Sequence, residues 1–240
     1  MQENNSFLRG VRDGAPIAIG YFAVAFAFGI FASGMGLSWL EATLISALNV
    51  TSAGQLAAVP IIASGGGFLE LGLTQLVINL RYSLMSVTLS QKMGGSVRFS
   101  DRFVIAFVNT DEVFAVASAS REPLGRKYLY GLILTPPIGW TLGTLFGAAA
   151  GNILPELLVS ALGIAIYAMF VAILVPAVRM SKTVLALIVI SSALSVAFYF
   201  LPVLRDIPSG FVIIIISVLV SALFAILAPV SDGGEEVDGA

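Results

Sequence analysis

From Pro16 to Ala228 the chain is a succession of apolar runs, about eight of them, each close to the ~20 residues a helix needs to cross a bilayer. In lipid every backbone N–H and C=O needs a partner inside the protein, so runs of this length fold as helices. The sequence therefore predicts an all-α integral membrane protein with about eight hydrophobic helical segments, making six to eight crossings. Composition agrees: 58% of residues are hydrophobic, 11% are charged and the mean hydropathy is +0.99. A soluble domain of this size carries about twice that charge. Residues 1–240 read as a single transmembrane domain ending in an acidic, flexible tail at 231–240. The chain has neither cysteine nor histidine, which excludes disulfides and thiolate or imidazole metal sites. Proton chemistry falls to carboxylates, lysine or tyrosine.

Within this apolar background the polar residues stand out. The run from Phe68 to Leu89 holds Gln75, Asn79, Arg81 and Tyr82 near its centre. An arginine at that depth costs at least ~2.5 kcal/mol on insertion scales, so such residues usually face a bundle interior or a water-filled cavity. The alternative is a shallow segment whose Arg81 snorkels to a headgroup. Gln75, Asn79, Tyr82, Ser86 and Ser90 recur at helical spacing as a polar stripe. Arg81 lies about 200° around from Asn79 on a regular helix. Either this segment has two polar faces, or its helix breaks near Asn79.

Two other runs are polar at their centres. Leu40–Ala63, opened by a capping-box spacing from Ser38 to Glu41, carries Asn49, Thr51, Ser52, Gly54 and Gln55 in its middle. That composition predicts a discontinuous helix, since unwound backbone at membrane depth is tolerated where it is buried or lines a cavity. A continuous helix with small polar packing residues is the other reading. The short run Phe103–Ala119, with Ser100 and Asp101 as caps, carries Asn109, Thr110, Asp111 and Glu112. Adjacent carboxylates are costly in lipid, so this segment is either shielded or re-entrant. Pairing of one carboxylate with Arg81 would offset both desolvation costs, as a structural ion pair or as part of a working site. One or two discontinuous helices are thus expected.

The remaining runs are plainer. The first, Pro16–Met35, reads as an uncleaved helix with small residues at Ala25, Gly29 and Ser33. The fifth, Tyr128–Ala150, contains Pro136 and Pro137, which predict a kink, and Gly139, Gly143, Gly147 and Gly151 in strict four-residue spacing. That repeat predicts a close helix crossing, in this chain or with another. Leu157–Val178, Val184–Leu201 and Phe211–Ala228 complete the set. A weak internal repeat relates the halves 7–120 and 126–228, with Pro16 matching Pro136 and Glu41 with Pro60 matching Glu156 with Pro176. With eight crossings and a cytoplasmic amino terminus, the basic residues are mostly inside, but Lys92, Arg98, Arg102 and Arg205 fall outside. If the two polar-centred runs are both re-entrant, giving six crossings, only Arg205 falls outside.

The Phe28-Gly29 pair, the Ser52 to Gln55 centre, Asn79-Leu-Arg81-Tyr82 and Asp111-Glu112-Val-Phe114 resemble the AzlC family of branched-chain amino-acid exporters, over roughly Phe7 to Leu227. The resemblance implies the large subunit of a two-component exporter of valine, leucine, isoleucine and sometimes methionine in a bacterial inner membrane. Its partner would be a small AzlD-type membrane subunit. It implies no cofactor, no nucleic acid and no enzymatic activity. A zwitterionic substrate needs donors for its carboxylate, acceptors for its ammonium and an apolar slot. Asn49, Ser52, Gly54, Gln55, Asn79, Arg81 and Tyr82 are the candidate substrate residues, and Asp111 and Glu112 the candidate proton-coupling pair. A channel, a carrier of another small solute and a membrane-embedded enzyme are the alternatives. A channel would need rings of carbonyls or charges, and an enzyme would need a nucleophile with a base.

Overall fold

The computed structural model describes residues 6–120, 122–151 and 154–228. The tail at 231–240, Arg121, Asn152 and the side chain of Glu156 lie outside the described residues. The helices are α1 (Phe7–Gly34), α2 (Trp39–Leu48), α3 (Ser52–Ala63), α4 (Phe68–Lys92), α5 (Phe99–Phe107), α6 (Asp111–Ser118), α7 (Arg126–Ala150), α8 (Glu156–Met180), α9 (Lys182–Phe200) and α10 (Ser209–Leu227). Among the described residues the extended pairing is confined to one bridge between Met93 and Leu124. Four helices, α1, α7, α9 and α10, are long and apolar enough to cross a membrane. The chain is a multi-pass helical membrane protein.

By its contacts the chain divides after Phe170 into two units. The second begins at Val171 and contains α9 and α10, which pack on one another. Among the described residues, none of α9 is buried in the protein, as suits a helix whose solvent is lipid.

The first unit is built on α1 and α7. α1 begins at Phe7 rather than Pro16, because Ser6 caps the Arg9 N–H at 3.2 Å and the Tyr128 hydroxyl donates to Asp13 at 2.9 Å. The charged first turns therefore continue the helix instead of preceding it. A methyl group on Gly139, Gly143 or Gly147 would collide with the backbone of Ala18, Phe22 or Phe26. Partner numbers rise together, so α1 and α7 run parallel, backbone against backbone. In lipid, where burying apolar area gains nothing, such close packing is what holds two helices together. Gly151 differs from the other three, since a methyl group there meets ordinary contacts only. α7 passes Pro136 and Pro137 as one helix.

Both polar-centred runs are broken. The first breaks at 49–51, between α2 and α3, and the second at 108–110, so that the segment expected as Phe103–Ala119 is the pair α5 and α6. Each break leaves a threonine in extended conformation as the cap of the next half-helix. Thr51 accepts from the Gly54 N–H at 3.3 Å and Thr110 from the Val113 N–H at 3.5 Å. α4, by contrast, is unbroken, so its polar residues occupy two faces of one helix.

Each broken pair is a hairpin. Ala42 clusters with Ala148, Ser46 bonds Thr144 at 2.6 Å and Val50 clusters with Trp140, so α2 descends antiparallel to α7 from the end where α7 finishes. α3 then returns: Gln55 reaches back to Ser46 at 2.7 Å, and Val59 rejoins Ala42 and Leu37. The α5–α6 pair enters from the opposite end. Asp101 near its start pairs with Arg126 at 2.9 Å and accepts from Tyr130 at 2.9 Å, both at the start of α7. At its finish, the carbonyls of Ser118 and Ser120 accept from Lys92, the last residue of α4. Asp101 also accepts from the Arg98 N–H at 2.9 Å, so the cap is this carboxylate reaching back rather than Ser100.

α1–α3 and α4–α6 are therefore arranged alike and inverted: a long helix, then a hairpin folding back from the end that helix reached. The tips correspond in sequence, Ala47-Leu48-Asn49-Val50-Thr51 against Ala106-Phe107-Val108-Asn109-Thr110.

Candidate functional site

The two tips meet at the middle of the α1–α7 pair, beside the centre of α4. Between them is a cavity of about 220 Å³, lined by Asn49, Val50 and Thr51 of one tip, Asn109 of the other, and Asn79 and Tyr82 of α4. Half-helices α3 and α6 both begin here. Thr51, the cap of α3, lines the cavity, and Thr110, the cap of α6, follows the lining residue Asn109. Asn109 is 2% exposed; its amide donates to Ser86 at 3.1 Å, while its Oδ1 has no partner. Asn79 donates to Gln75 at 3.2 Å and its Oδ1 is likewise unpartnered. Two orphaned carbonyl oxygens at membrane depth are costly unless something donates to them. The lining is polar at both tips and on α4: three asparagines, Thr51 and Tyr82.

The sequence-derived residues divide between this cavity and its supports. Asn49, Asn79 and Tyr82 line it. Gln55 does not: it is fully buried, accepts from Trp140 Nε1 at 2.8 Å and donates to Ser46, whose hydroxyl meets Thr144. That chain of neutral hydrogen bonds pins α2 and α3 to α7. Gly54 presents its carbonyl to Gln75 at 2.8 Å, and a methyl group there would press on the Gln75 side chain. Ser52 opens α3 at the tip. Gln75 also accepts weakly from Asn49 at 3.4 Å, so one amide on α4 gathers residues of both faces of the break.

Arg81 lies apart from the cavity lining. It makes a two-toothed pair with Asp111, at 2.8 and 3.0 Å, and donates to the Tyr82 hydroxyl at 3.0 Å. The guanidinium also sits over the Tyr82 ring, 4.8 Å from its centre. Of the two adjacent carboxylates, then, Asp111 takes the arginine and Glu112 takes another partner, the Tyr21 hydroxyl of α1. Tyr21 also meets Thr110 at 2.6 Å and packs edge-on against Trp140. It bridges the acidic start of α6 to the neutral network around Gln55. Sequence reading passes over Tyr21, Trp140, Ser46 and Thr144. Each contributes one polar atom within an apolar stretch, and no spacing marks it.

This architecture, two broken-helix hairpins meeting around a polar cavity inside a helical bundle, defines the class of multi-pass membrane proteins associated with transport. A family model described as AzlC protein matches residues 16–154, which include every residue of the cavity, and the chain belongs to that family. It is 29% identical over 206 residues, 82% of this chain and 84% of the relative, to a protein of Escherichia coli K12 named inner membrane protein YgaZ. It is 34% identical over 178 residues, 73% of this chain and 78% of the relative, to an uncharacterized membrane protein of Archaeoglobus fulgidus. No solved structure matches.

Proposed function

We propose that the chain is the transport subunit of an exporter that carries valine, leucine, isoleucine and also methionine out of the cytoplasm in exchange for protons, together with a small AzlD-type membrane subunit. The observation that carries this reading is the polar cavity between the hairpin tips, lined by Asn49, Thr51, Asn79, Tyr82 and Asn109 and set within two residues of the starts of α3 and α6. Glu112 and Asp111, each held by one exchangeable partner, supply the proton step: protonation releases Tyr21 or Arg81 and loosens the start of α6.

The topology that accompanies it has six full crossings, α1, α4, α7, α8, α9 and α10, with α2–α3 and α5–α6 re-entrant from opposite sides. Both ends of each hairpin lie at one end of the α1–α7 pair, which favours this count over eight. Charge supports it as well. With a cytoplasmic amino terminus in an inner membrane, every lysine and arginine except Arg81 and Arg205 is then cytoplasmic.

The test is counterflow of labelled valine, leucine, isoleucine and methionine in proteoliposomes, with and without the small subunit, under an imposed pH gradient. Saturable, gradient-dependent exchange is expected, and Glu112→Gln together with Asp111→Asn removes its pH dependence. Unchanged export and unchanged pH dependence in both variants would falsify the proton role. A channel remains the second reading, because opposed half-helix hairpins also line pores. Flux that rises without saturation would select it.

A further inference from the structure

The polar stripe of α4 does not stop at the cavity. Tyr82 belongs to the cavity, and further along the same helix Ser86 and Ser90 line a second hollow of about 260 Å³ between α4 and α5. The two hollows share Ala106 and Asn109, so they adjoin at the tip of the second hairpin. At its other end the groove reaches Met93 and Arg102, beside the start of α7. Its remaining walls, among them Val87 and Phe103, are apolar. Arg102 is exposed and makes no ion pair among the described residues, while its neighbour Asp101 is already engaged by Arg126. A cation at the mouth, an apolar wall, and Asn109 at the inner end, shared with the polar cavity, form a graded path.

We propose that this groove is the cytoplasmic entry route for the solute, an apolar molecule bearing a carboxylate. Arg102 attracts the carboxylate, Val87 and Phe103 receive the apolar side chain, and Asn109 passes the solute to the cavity. The assignment rests on the exporter reading for the solute's identity, but not for the existence of the path. A lipid tail would suit the apolar walls. It has no use for continuity with a polar cavity, and that is why a small solute is the occupant chosen.

The chain contains no cysteine, so single thiols can be placed without altering any other residue. Ser90→Cys, with Ser86→Cys as a second site, is assayed in the full chain in inside-out vesicles with charged, membrane-impermeant methanethiosulfonates. Leu84→Cys is the reference; Leu84 is 69% exposed and stands off the stripe, outside the lining of both hollows. Ser90→Cys is expected to react many-fold faster than Leu84→Cys, and faster with the anionic reagent than with the cationic one. Leucine slows the reaction, and adding Arg102→Gln removes the preference for the anion and weakens leucine protection by about threefold, as befits an exposed ion pair. Equal rates at Ser90→Cys and Leu84→Cys would mean a groove closed to water and filled by lipid, and would overturn the route. Fast labelling that leucine does not slow would overturn it too. Leucine counterflow in the same vesicles separates the failures: counterflow with an unprotected Ser90→Cys removes the groove alone, and absence of both removes the exporter reading with it.

Discussion

The hairpins α2–α3 and α5–α6 have the same shape and opposite chemistry. Each has a threonine-capped half-helix starting at mid-membrane, and each needs something to answer the dipole and the loose N–H groups there. The first does so with the Thr51 hydroxyl and is held by neutral groups in the dry interior: Gln55, fully buried, lies between Trp140 and Ser46, and Ser46 is bonded by Thr144. The second does so with two carboxylates in its first turn, tied to Arg81 and Tyr21 across helix boundaries, with the Arg81–Asp111 pair nearly half exposed. A closed neutral network resists rearrangement, since each lost bond strands a buried partner. A carboxylate can exchange its partner for a proton or a substrate ammonium. The difference marks α2–α3 as the fixed hairpin and α5–α6 as the one whose contacts can change.

The comparison can be broken most forcefully at Gln55. Gln55→Leu leaves Trp140 Nε1 without a partner and takes from Ser46 one of its two bonds, and should destabilise the protein by about 1–3 kcal/mol. Thermal unfolding in detergent measures it, and a loss near zero would mean that the first hairpin is not fixed by this network. Next in size are the two caps. Thr51→Val and Thr110→Val each lose about 1 kcal/mol. Thr110→Val should lose more, because Tyr21 also bonds that hydroxyl; the reverse order in the same assay would contradict the bridging role given to Tyr21.

Smaller again is the ion pair. Arg81 and Asp111 are partly exposed, and with water from the cavity at their exposed faces Arg81→Ala should cost about 1 kcal/mol or less, with Arg81→Ala/Asp111→Ala no worse than the single variant. A coupling several times larger would make the pair a structural pin and would move the second hairpin to the fixed side of the comparison.

The smallest effect is one of pH, at the mouth of the second hairpin. Burial alone would raise the Asp101 carboxyl, but the Arg98 N–H, the Tyr130 hydroxyl and the Arg126 guanidinium outweigh it and hold the group below the usual carboxylate range. A carboxyl depressed by folding contributes stability that is complete above its unfolded value, near ~4, and is lost as pH falls through the folded value. Melting curves should therefore drop with acid below about pH 4, and Asp101→Asn should flatten that dependence. An unaltered acid limb in the variant would show that the Asp101 contacts do not couple to folding.

Much of the fold was legible because its causes are local. Length and hydropathy set the helices, and the runs of Asn, Thr and Ser at two centres announced the breaks, since those side chains compete for backbone partners and cap the next half-helix. Four-residue glycine spacing announced a close crossing. The pairing of a carboxylate with Arg81 was open to expectation as well, because an unpaired charge at that depth is so expensive. Less legible was the assignment of roles: Gln55 sits in the support and Arg81 beside the cavity rather than in it, while Asn109 is the buried side chain common to both hollows.

By itself, then, the sequence determined which segments are helical, where two of them must stop, and which charges need partners, since each depends on the solvation of a short stretch of chain. Only the tertiary structure decided that α7's glycines meet α1, that each broken run doubles back on itself, and that Tyr21 joins Glu112 to the network of Trp140. Those outcomes depend on contacts between residues far apart in the chain. A lone phenol or indole in an apolar helix has the same local signature whether it faces lipid or a partner, and the packing alone distinguishes the two.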